Sequence, residues 1–463
     1  MNFRTKSYLR KRFGDYYNSS EPPLPHDFKR REWGFIFFDE LPEVVMRRHR
    51  AFSSEGEAIE YLRGMVPAHV YHSAAYYQFP GAGTMKEKKW EGADLIFDLD
   101  ADHLPQMVRS YAGMLANVKS ETGKLLDFLL EDFGFNEENI RVAFSGGRGY
   151  HIHVHDPRVL TLESAQRRDI VDYLSGTGLK YEYFFEPEKR VVIDSGRFPK
   201  TEIESSKRIS SFDYGWGKRI SLYLIHFLKD ISTKNDEEAI DEIEKLIKNY
   251  NFKIASIHKF SEEIVNWVIQ LKNENKKIGL HKIAEEVGYS EERVKDILVL
   301  NDRWNFRHEA IVKLKQIKKL SQKSRAMDMI EKGKIDFPDI TYIFEAIVDQ
   351  AVHDSIVHLG GGHTDEPVTA DIRRLIRMPS SLHGGSGMRV VPLTFSEFKT
   401  FEPLRDAVVF SEREIQIEVI PPLKPQNALV EMKGKSIKVE EGINIVPEYA
   451  GIYLMCRGAA EYA

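Results

Sequence analysis

The sequence predicts a mixed α/β (α+β) fold with a helical insertion and a small C-terminal β region, on three observations. Short apolar runs before residue 160 are typical of strands and surround two stretches with helical periodicity. Between about 160 and 345 the chain is rich in Lys and Glu at helical spacing, and beyond 400 short strand-like segments alternate with turns. The predicted organisation is an α/β core over 1–160, a mainly helical insertion over 161–345, a segment at 346–395 that completes the core, and a β region over 396–463.

Composition excludes several classes of protein. The net charge is −5 and the chain is 42% hydrophobic, so any nucleic-acid site must be a local basic patch. Cys456 is the one cysteine in the sequence, which excludes an intramolecular disulfide and a cysteine-rich zinc site. No apolar run approaches the length of a membrane span and the N-terminus has no signal-peptide pattern, so we expect a cytoplasmic protein with no membrane contact.

The elements follow in order along the chain. Residues 1–20 are expected to form a helix. The segments "REWGFIFFDE" and "VVMRRHRAF" are expected to form strands, and residues 105–132 are expected to be helical. "NIRVAFSGGRGYHIHVHD" (139–156) is typical of a strand, a Gly-rich loop and a second strand. "NDEEAIDEIEKLIK" predicts a helix with an Asn/Asp start. "LHKIAEEVGYSEERVKDIL" (280–298) predicts two helices joined by a turn, either a plain helical hairpin, which is the simpler interpretation, or a DNA-binding helix-turn-helix.

The stretch "ADLIFDLDADHL" (93–104) places carboxylates at the end of an apolar strand. Side chains at i and i+2 of a strand share a face, so Asp98 and Asp100 point the same way and repel each other unless a cation lies between them. Hard oxygen ligands select Mg²⁺ or Mn²⁺, and a pair of such ions suits nucleotidyl transfer. The alternative is a solvated strand end at which the carboxylates only mark a turn.

A Gly-rich loop lies in "FSGGRGYHIHV" (144–154). Gly146, Gly147 and Gly149 allow backbone N–H groups to approach a phosphate, and Ser145 and Arg148 add side-chain donors. A tight hairpin connection is the alternative interpretation. His151, His153 and His155 share a face of the following strand and could form a zinc site, although three ligands on one flat strand seldom supply a tetrahedral set.

A third segment, "HTDEPVTADIRRLIRMPSSLHG" (363–384), combines acidic and basic residues. Asp365 could be a further metal ligand, and His383 on a Gly-rich turn could donate to phosphate. We expect "TADIRRLIR" to be a short helix that carries Arg373, Arg374 and Arg377 as a basic stripe. The alternative is a salt-bridged surface helix followed by a turn.

Two N-terminal segments, "FKRREWGF" and "VMRRHRAF", interleave basic residues with aromatic ones. Such a pattern can bind phosphate and base together, or it can belong to amphipathic strands with solvated charges.

In order and spacing, the three segments and the helical insertion resemble the signature segments of the small catalytic subunit of archaeo-eukaryotic DNA primase. The resemblance implies template-dependent synthesis of short RNA, possibly DNA, primers on single-stranded DNA by two-metal nucleotidyl transfer. It implies NTPs or dNTPs as substrates and a large primase subunit as heterodimer partner, for which the helical insertion and the terminal β region are the candidate docking surfaces.

The resemblance also assigns roles to residues. The implied metal ligands and catalytic residues are Asp98, Asp100 and Asp365. The implied nucleotide-binding residues are Ser145, Gly146, Arg148, His151, Arg377 and His383, together with Glu32 and Arg48. Asp102 matches no functional position, so we expect it to be dispensable.

The sequence departs from the family pattern in two places. Residues 101–140 contain no cysteine and only His103, so no structural zinc is expected after the Asp-x-Asp motif. Gly147 stands where many members carry a basic residue, which implies one phosphate contact fewer.

Two other functions remain open on the sequence. One is a metal-dependent phosphohydrolase that uses Asp98, Asp100, His151, His153 and His363. The other is a non-catalytic nucleic-acid-binding subunit that reads DNA through residues 280–298.

Overall fold

The computed structural model describes residues 1–104, 110–180, 190–193, 200–203, 211–257, 306–331, 341–359, 368–424 and 428–463. These residues form two compact units. The first unit contains residues 1–177 and 357–463, and the second contains 178–356. All of the candidate site residues that the structure describes belong to the first unit. The finer division of the sequence at 160, 345 and 395 stays a prediction.

The described helices and strands confirm a mixed α/β fold. The helices are α1 (Phe3–Ser19), α2 (Glu55–Met65), α3 (Met85–Lys88), α4 (Tyr111–Asp127), α5 (Ser164–Leu174), α6 (Gly215–Thr233), α7 (Asp236–Ile257), α8 (Phe306–Ser321), α9 (Ser324–Glu331), α10 (Thr341–Ser355), α11 (Phe395–Thr400), α12 (Pro403–Asp406) and α13 (Glu448–Cys456). The strands are β1 (Trp33–Ile36), β2 (Arg47–Arg50), β3 (His69–Ser73), β4 (Ala75–Tyr77), β5 (Trp90–Ala93), β6 (Leu95–Asp100), β7 (Ile140–Phe144), β8 (Gly149–Val154), β9 (Arg190–Ile193), β10 (Lys200–Ile203), β11 (Leu375–Arg377), β12 (Val391–Leu393), β13 (Glu414–Val419), β14 (Leu429–Met432), β15 (Lys435–Lys438), β16 (Gly442–Pro447) and β17 (Ala460–Tyr462).

Two four-stranded antiparallel sheets position the site. One has the strand order β11-β3-β1-β2 and the other has the order β12-β7-β8-β6. Ala74, Ile96 and Ile376 form one buried cluster, so the face of β6 that carries Ile96 packs toward β3 and β11. In each sheet, a strand from the segment after residue 368 pairs with strands from the first 160 residues.

The helix expected over residues 1–20 is α1. The Asn2 side chain caps its start by accepting a hydrogen bond of 2.8 Å from the Thr5 N–H. Leu9, Phe13 and Tyr17 recur every four residues and are buried, so one face of the helix packs against the core. The expected strands "REWGFIFFDE" and "VVMRRHRAF" are present as the shorter β1 and β2.

Residues 105–132 were expected to be helical. Helix α4 covers Tyr111–Asp127, and a π-helical turn continues it over Phe128–Asp132. Residues 105–109 lie outside the described part of the chain.

The segment "TADIRRLIR" is not a helix, and that prediction is wrong. A 3₁₀ turn covers Val368–Ala370, and the following residues form β11, which pairs antiparallel with β3. Leu375 lies opposite Ser73 and Arg377 lies opposite Tyr71. Leu, Ile and Arg fit either a helix or a strand, and pairing with a strand about 300 residues earlier decides between them.

The second unit is mainly helical in its described residues, with the two-stranded sheet β9-β10 beside five helices. The predicted helix in "NDEEAIDEIEKLIK" is α7, and the Glu238 N–H donates to the Asn235 side chain at 2.9 Å. Ile243 and Ile247 are buried one turn apart. The helical pair expected at 280–298 lies outside the described residues.

The C-terminal region is a β region closed by a helix. Strands β16, β13 and β17 form one sheet, and β14 pairs with β15 as a hairpin, so the short strands predicted beyond residue 400 are present. Helix α13 follows β16, and residues 448–455 are buried. Across the described residues, no helix combines the length and the apolar character needed to cross a membrane.

Candidate active site

Strand β6 presents Asp98 and Asp100 on one face. Phe97 and Leu99 are buried on the opposite face, while the side chains of Asp98 and Asp100 are 26% and 32% exposed. The register with β8 places Asp98 opposite His151 and Asp100 opposite Gly149. The pairing geometry predicted from the i, i+2 spacing is present, and both carboxylates reach solvent.

The Gly-rich loop is the turn of the β7–β8 hairpin. The Ser145 hydroxyl accepts hydrogen bonds from the N–H groups of Gly147 at 3.3 Å and Gly149 at 3.2 Å. The Gly147 carbonyl accepts a bond of 2.6 Å from the Tyr111 hydroxyl. Both the serine side chain and α4 therefore fix the shape of the loop.

Two glycines of the loop are required by close contacts. Gly146 has a φ of +74°, and a Cβ there would lie 2.8 Å from the Cβ of His383. A Cβ on Gly149 would lie 1.9 Å from the Leu99 carbonyl oxygen in the neighbouring strand β6. The loop can therefore approach β6 and His383 only without side chains at these positions.

His383 and His151 are buried next to this loop. Burial, reinforced by the charge of Arg377, lowers the pKa of His383 well below its usual value. Burial and the nearby Arg377 and Arg374 lower the pKa of His151 to about 3. The His383 Nδ1 accepts from the Gly385 N–H at 3.1 Å, which leaves Nε2 as the protonated nitrogen, facing Gly147. The lowered pKa values favour the neutral form of both imidazoles at physiological pH.

Two adjoining pockets open between these elements, and Arg377 lines both. The first has a volume of about 410 Å³ and is lined by Asp100, Tyr111, Ser145, Gly147, Arg148, Arg377, His383, Gly385, Ser386, Lys424 and Arg457. The second has a volume of about 360 Å³ and is lined by Met46, Arg48, Tyr71, Asp98, His151, Asp371, Arg373, Arg374, Leu375, Ile376 and Arg377. Strand β6 thus supplies one carboxylate to each pocket.

Glu32 and Arg48 form a pair at the edge of the second pocket. Glu32 is fully buried and accepts two hydrogen bonds from the Arg48 guanidinium, at 3.1 and 3.2 Å. The buried Lys88 ammonium lies 3.7 Å from the same carboxylate. Arg48 lines the pocket, whereas Glu32 lies beneath it and contacts Arg48.

Asp102 is exposed and pairs with Arg148, and its expected dispensability stays a prediction. Its two carboxylate oxygens accept from the Arg148 guanidinium at 2.6 and 2.7 Å. The Arg148 Nε also lies 3.6 Å from Asp100. Arg148 is therefore held at the mouth of the first pocket by two carboxylates of the same segment.

The histidines of β8 and its end lie in a row, as predicted. The ring centroids are 6.5 Å apart for His151 and His153, and 6.0 Å apart for His153 and His155. His155 pairs with the buried Asp94 at 3.0 Å. Within the ranges that the structure describes, no group of three His, Cys, Asp or Glu side chains is arranged to hold a metal ion, so the row does not form the alternative zinc site.

Eight of the eleven predicted site residues therefore line the two pockets, and Gly146 lies in the loop beside the first without lining it. Glu32 is placed one layer below them, and Asp365, like His363, lies outside the described residues. Sequence reasoning did not single out Tyr71, Tyr111, Asp371, Lys424 or Arg457, which also line the pockets. Asp371 lies within the third signature segment but was given no role there, and the other four belong to no motif with a recognisable spacing.

Comparison with known proteins identifies the family. Residues 97–395 match the family model for the DNA primase small subunit. The whole chain is 44% identical to "DNA primase small subunit PriS" of Methanosarcina barkeri and of Methanosarcina acetivorans, with 98% of each relative covered. It is 36% identical over its full length to the protein of the same name from Halobacterium salinarum, all of which is covered. The chain therefore belongs to the family of DNA primase small subunits, the enzymes that synthesise primers by nucleotidyl transfer.

Proposed function

We propose that the two adjoining pockets are the site at which this chain extends a primer, with a nucleoside triphosphate bound across them. One observation carries the proposal: Asp98 and Asp100 open from one strand into pockets whose other walls hold Arg148, Arg377 and Arg48. Nucleotidyl transfer requires carboxylates that bind metal ions and, beside them, basic side chains that bind phosphate. Its catalysis consists mostly of positioning the reactants and stabilising charge.

Asp98 and Asp100 would hold divalent metal, with Asp365 as the third ligand. Their oxygens fit Mg²⁺ or Mn²⁺, because they are hard donors, partly exposed, on one face of a rigid strand. Bound metal would stabilise charge on the triphosphate and make the 3′-hydroxyl a better nucleophile. No structural zinc is proposed.

The first pocket would bind the triphosphate. The Ser145 hydroxyl and the His383 imidazole offer neutral donors beside Gly147, and Arg148 and Arg377 offer charged ones. Arg148 would contact the nucleotide by releasing Asp100 and Asp102 and binding a phosphate group in their place. In the reaction, the primer 3′-oxygen bonds to the α-phosphorus, the bond from that phosphorus to the bridging oxygen breaks, pyrophosphate leaves and the hydroxyl proton passes to solvent.

The second pocket would bind the rest of the nucleotide or the primer end. Arg48 and His151 line it together with Asp98. Glu32 would act through Arg48, since its buried carboxylate fixes the guanidinium with two hydrogen bonds.

Single-stranded DNA would be the template and NTPs, possibly dNTPs, the substrates, in the synthesis of short primers. The exposed Arg373 and Arg374 beside the second pocket support a template path with affinity that falls as salt rises.

The resemblance supports a heterodimer with a large primase subunit in the cytoplasm. Co-expression followed by size-exclusion chromatography tests this assembly, and two separate peaks would contradict it.

Asp98→Ala tests the site directly. The variant should lose templated extension of a labelled primer while keeping its fold and its affinity for single-stranded DNA, because the change removes the metal-binding carboxylate from a partly exposed position. The assay combines the purified chain, a single-stranded template and labelled NTPs or dNTPs, with Mg²⁺ or Mn²⁺. Asp169→Ala, at an exposed position of α5, is the matched control and should extend like the wild type.

The products separate the alternatives. Appreciable extension by Asp98→Ala would remove Asp98 from the metal site. Template-independent mononucleotide products from the wild type would indicate a phosphohydrolase. Template binding without turnover, even with the large subunit added, would indicate a non-catalytic DNA-binding subunit.

A further inference from the structure

The C-terminal region contributes two cations to the first pocket. Lys424 and Arg457 line it together with Ser145, Arg148 and His383. Both lie beyond residue 395, where the match to the family model ends. The small β region is therefore part of the wall of the nucleotide site rather than an independent appendage.

Arg457 is held in place by packing. It follows the buried helix α13, and its guanidinium lies over the rings of Tyr453 at 5.3 Å and Tyr111 at 5.9 Å. Tyr111 in turn donates its hydroxyl hydrogen to the Gly147 carbonyl. A continuous set of contacts thus joins Arg457 to the loop that would cradle phosphate, and stacking on two rings restricts the guanidinium before a ligand arrives.

The lining of the first pocket carries an excess of positive charge, which suits a polyanionic ligand. Arg148, Arg377, Lys424 and Arg457 face one lining carboxylate, Asp100. Arg148 is already paired with Asp102 and Asp100. Asp98 lines the neighbouring pocket instead, so Lys424 and Arg457 belong to the part of the cleft away from the proposed reacting phosphorus.

We infer that Lys424 and Arg457 bind the terminal phosphate of the incoming nucleotide, so that the C-terminal region completes the triphosphate site. This inference rests on the proposed function, in which the first pocket binds the triphosphate and Asp98 and Asp100 hold the metal. The α-phosphate, where the new bond forms, then belongs beside these carboxylates. The terminal phosphate then lies farther into the first pocket, where a lysine and a stacked arginine can neutralise its charge.

The test is templated extension by the full-length chain carrying Lys424→Met or Arg457→Met. The KM for NTP should rise about tenfold in each, as expected for the loss of one charge-assisted hydrogen bond, with kcat within about twofold. Inorganic tripolyphosphate, a competitor without base or sugar, should inhibit each variant about tenfold more weakly than the wild type. Arg457→Lys keeps the charge and should retain most of the affinity.

Lys438→Met is the matched control, because Lys438 is exposed on β15 and belongs to neither pocket. Lys424 is also exposed, so its variant remains informative if Arg457→Met does not fold. Unchanged KM and unchanged tripolyphosphate inhibition in both Met variants, with Asp98→Ala inactive, would overturn this inference and leave the proposed function intact. A fall in kcat alone would overturn it too, whereas continued extension by Asp98→Ala would overturn the proposed function itself.

Discussion

Glu32 is a buried carboxylate whose partner Arg48 lines the second pocket. It accepts two hydrogen bonds from Arg48 and one, at 3.1 Å, from the His49 N–H, and it lies beside Lys88. A buried charge that loses its partner is costly, so the three ionic groups depend on one another. At the residue scale, this arrangement makes Glu32 a positioning residue for Arg48.

Glu32→Gln tests that role. The amide keeps the volume of the side chain but removes the charge that holds Arg48 and neutralises Lys88. The KM for NTP should therefore rise, by about tenfold or less, and this rise should exceed the fall in kcat. Steady-state extension kinetics measure both parameters. Glu91→Gln, which breaks the exposed pair with Arg30 at 2.8 Å, is the control. Equal kinetics in Glu32→Gln and wild type, in a folded protein, would show that Arg48 needs no such support.

At the element scale, the start of β6 is fixed by a buried ion pair. Arg31 and Asp94 are both fully buried, with 2.6 Å between the Arg31 Nη2 and the Asp94 carboxylate. The Tyr76 hydroxyl donates to Asp94 at 2.7 Å, and Arg167 of α5 donates to the Asp94 carbonyl at 2.6 Å. The strand that carries Asp98 and Asp100 therefore begins at a rigid polar junction.

Asp94→Asn should destabilise the protein by about 3–5 kcal/mol at pH 7, because it leaves Arg31 buried without a counter-charge. Burial acts to raise the pKa of Asp94, but Arg31 and the bonds from His155 and Tyr76 outweigh it, so the net pKa lies below the usual value. A lowered pKa gives stability that is present above about pH 4 and is lost as the pH falls through the folded-state value.

Urea denaturation at pH 7 and at pH 3 measures both parts of this prediction. The difference between wild type and Asp94→Asn should be smaller at pH 3. Asp27→Asn is the control, since Asp27 pairs with Arg30 at 3.3 Å on the surface. A loss of less than about 1 kcal/mol at pH 7 would show that the pair is not essential to the junction.

Some of these elements could be predicted from the sequence and others could not. Strand β6 and the β7–β8 hairpin follow from local alternation and glycines, so Asp98, Asp100, Ser145 and Arg148 were predicted together. Strand β11 was predicted as a helix, because its identity depends on pairing with the distant β3. Long-range pairing also hides Tyr71, which lies opposite Arg377 only once β11 joins the sheet.

At the scale of the whole molecule, the site depends on segments that no local pattern connects. Strand and helix patterns predicted the fold class, and the family resemblance assigned roles to the site residues, since the motifs are spaced characteristically. Lys424 and Arg457 were not predicted, because isolated basic residues in a β region carry no signal until tertiary packing places them beside Ser145. Chain-distant contacts of this kind are invisible to periodicity and spacing.

The two ends of the chain meet around one buried carboxylate. Glu448, at the start of α13, is fully buried and accepts from the Tyr8 hydroxyl at 2.9 Å and from Arg12 of α1 at 3.2 Å. Ser411 and Arg413, which precede β13, bind the same carboxylate. Helix α1 and the C-terminal region are thus joined by a polar cluster, so we expect them to unfold together with the core.

Glu448→Gln should therefore lower the free energy of unfolding by about 1.5–3 kcal/mol, because the buried side chain loses its charge-assisted hydrogen bonds with Arg12 and Ser411. Urea denaturation should show a lower midpoint with an unchanged slope, since the cluster belongs to the cooperative unit. Glu440→Gln removes an exposed carboxylate, 3.4 Å from Lys438, and should change stability by less than about 0.5 kcal/mol. An early separate transition in Glu448→Gln, with the remaining transition at the wild-type midpoint, would mean that the C-terminal region unfolds independently and is only loosely attached to the core.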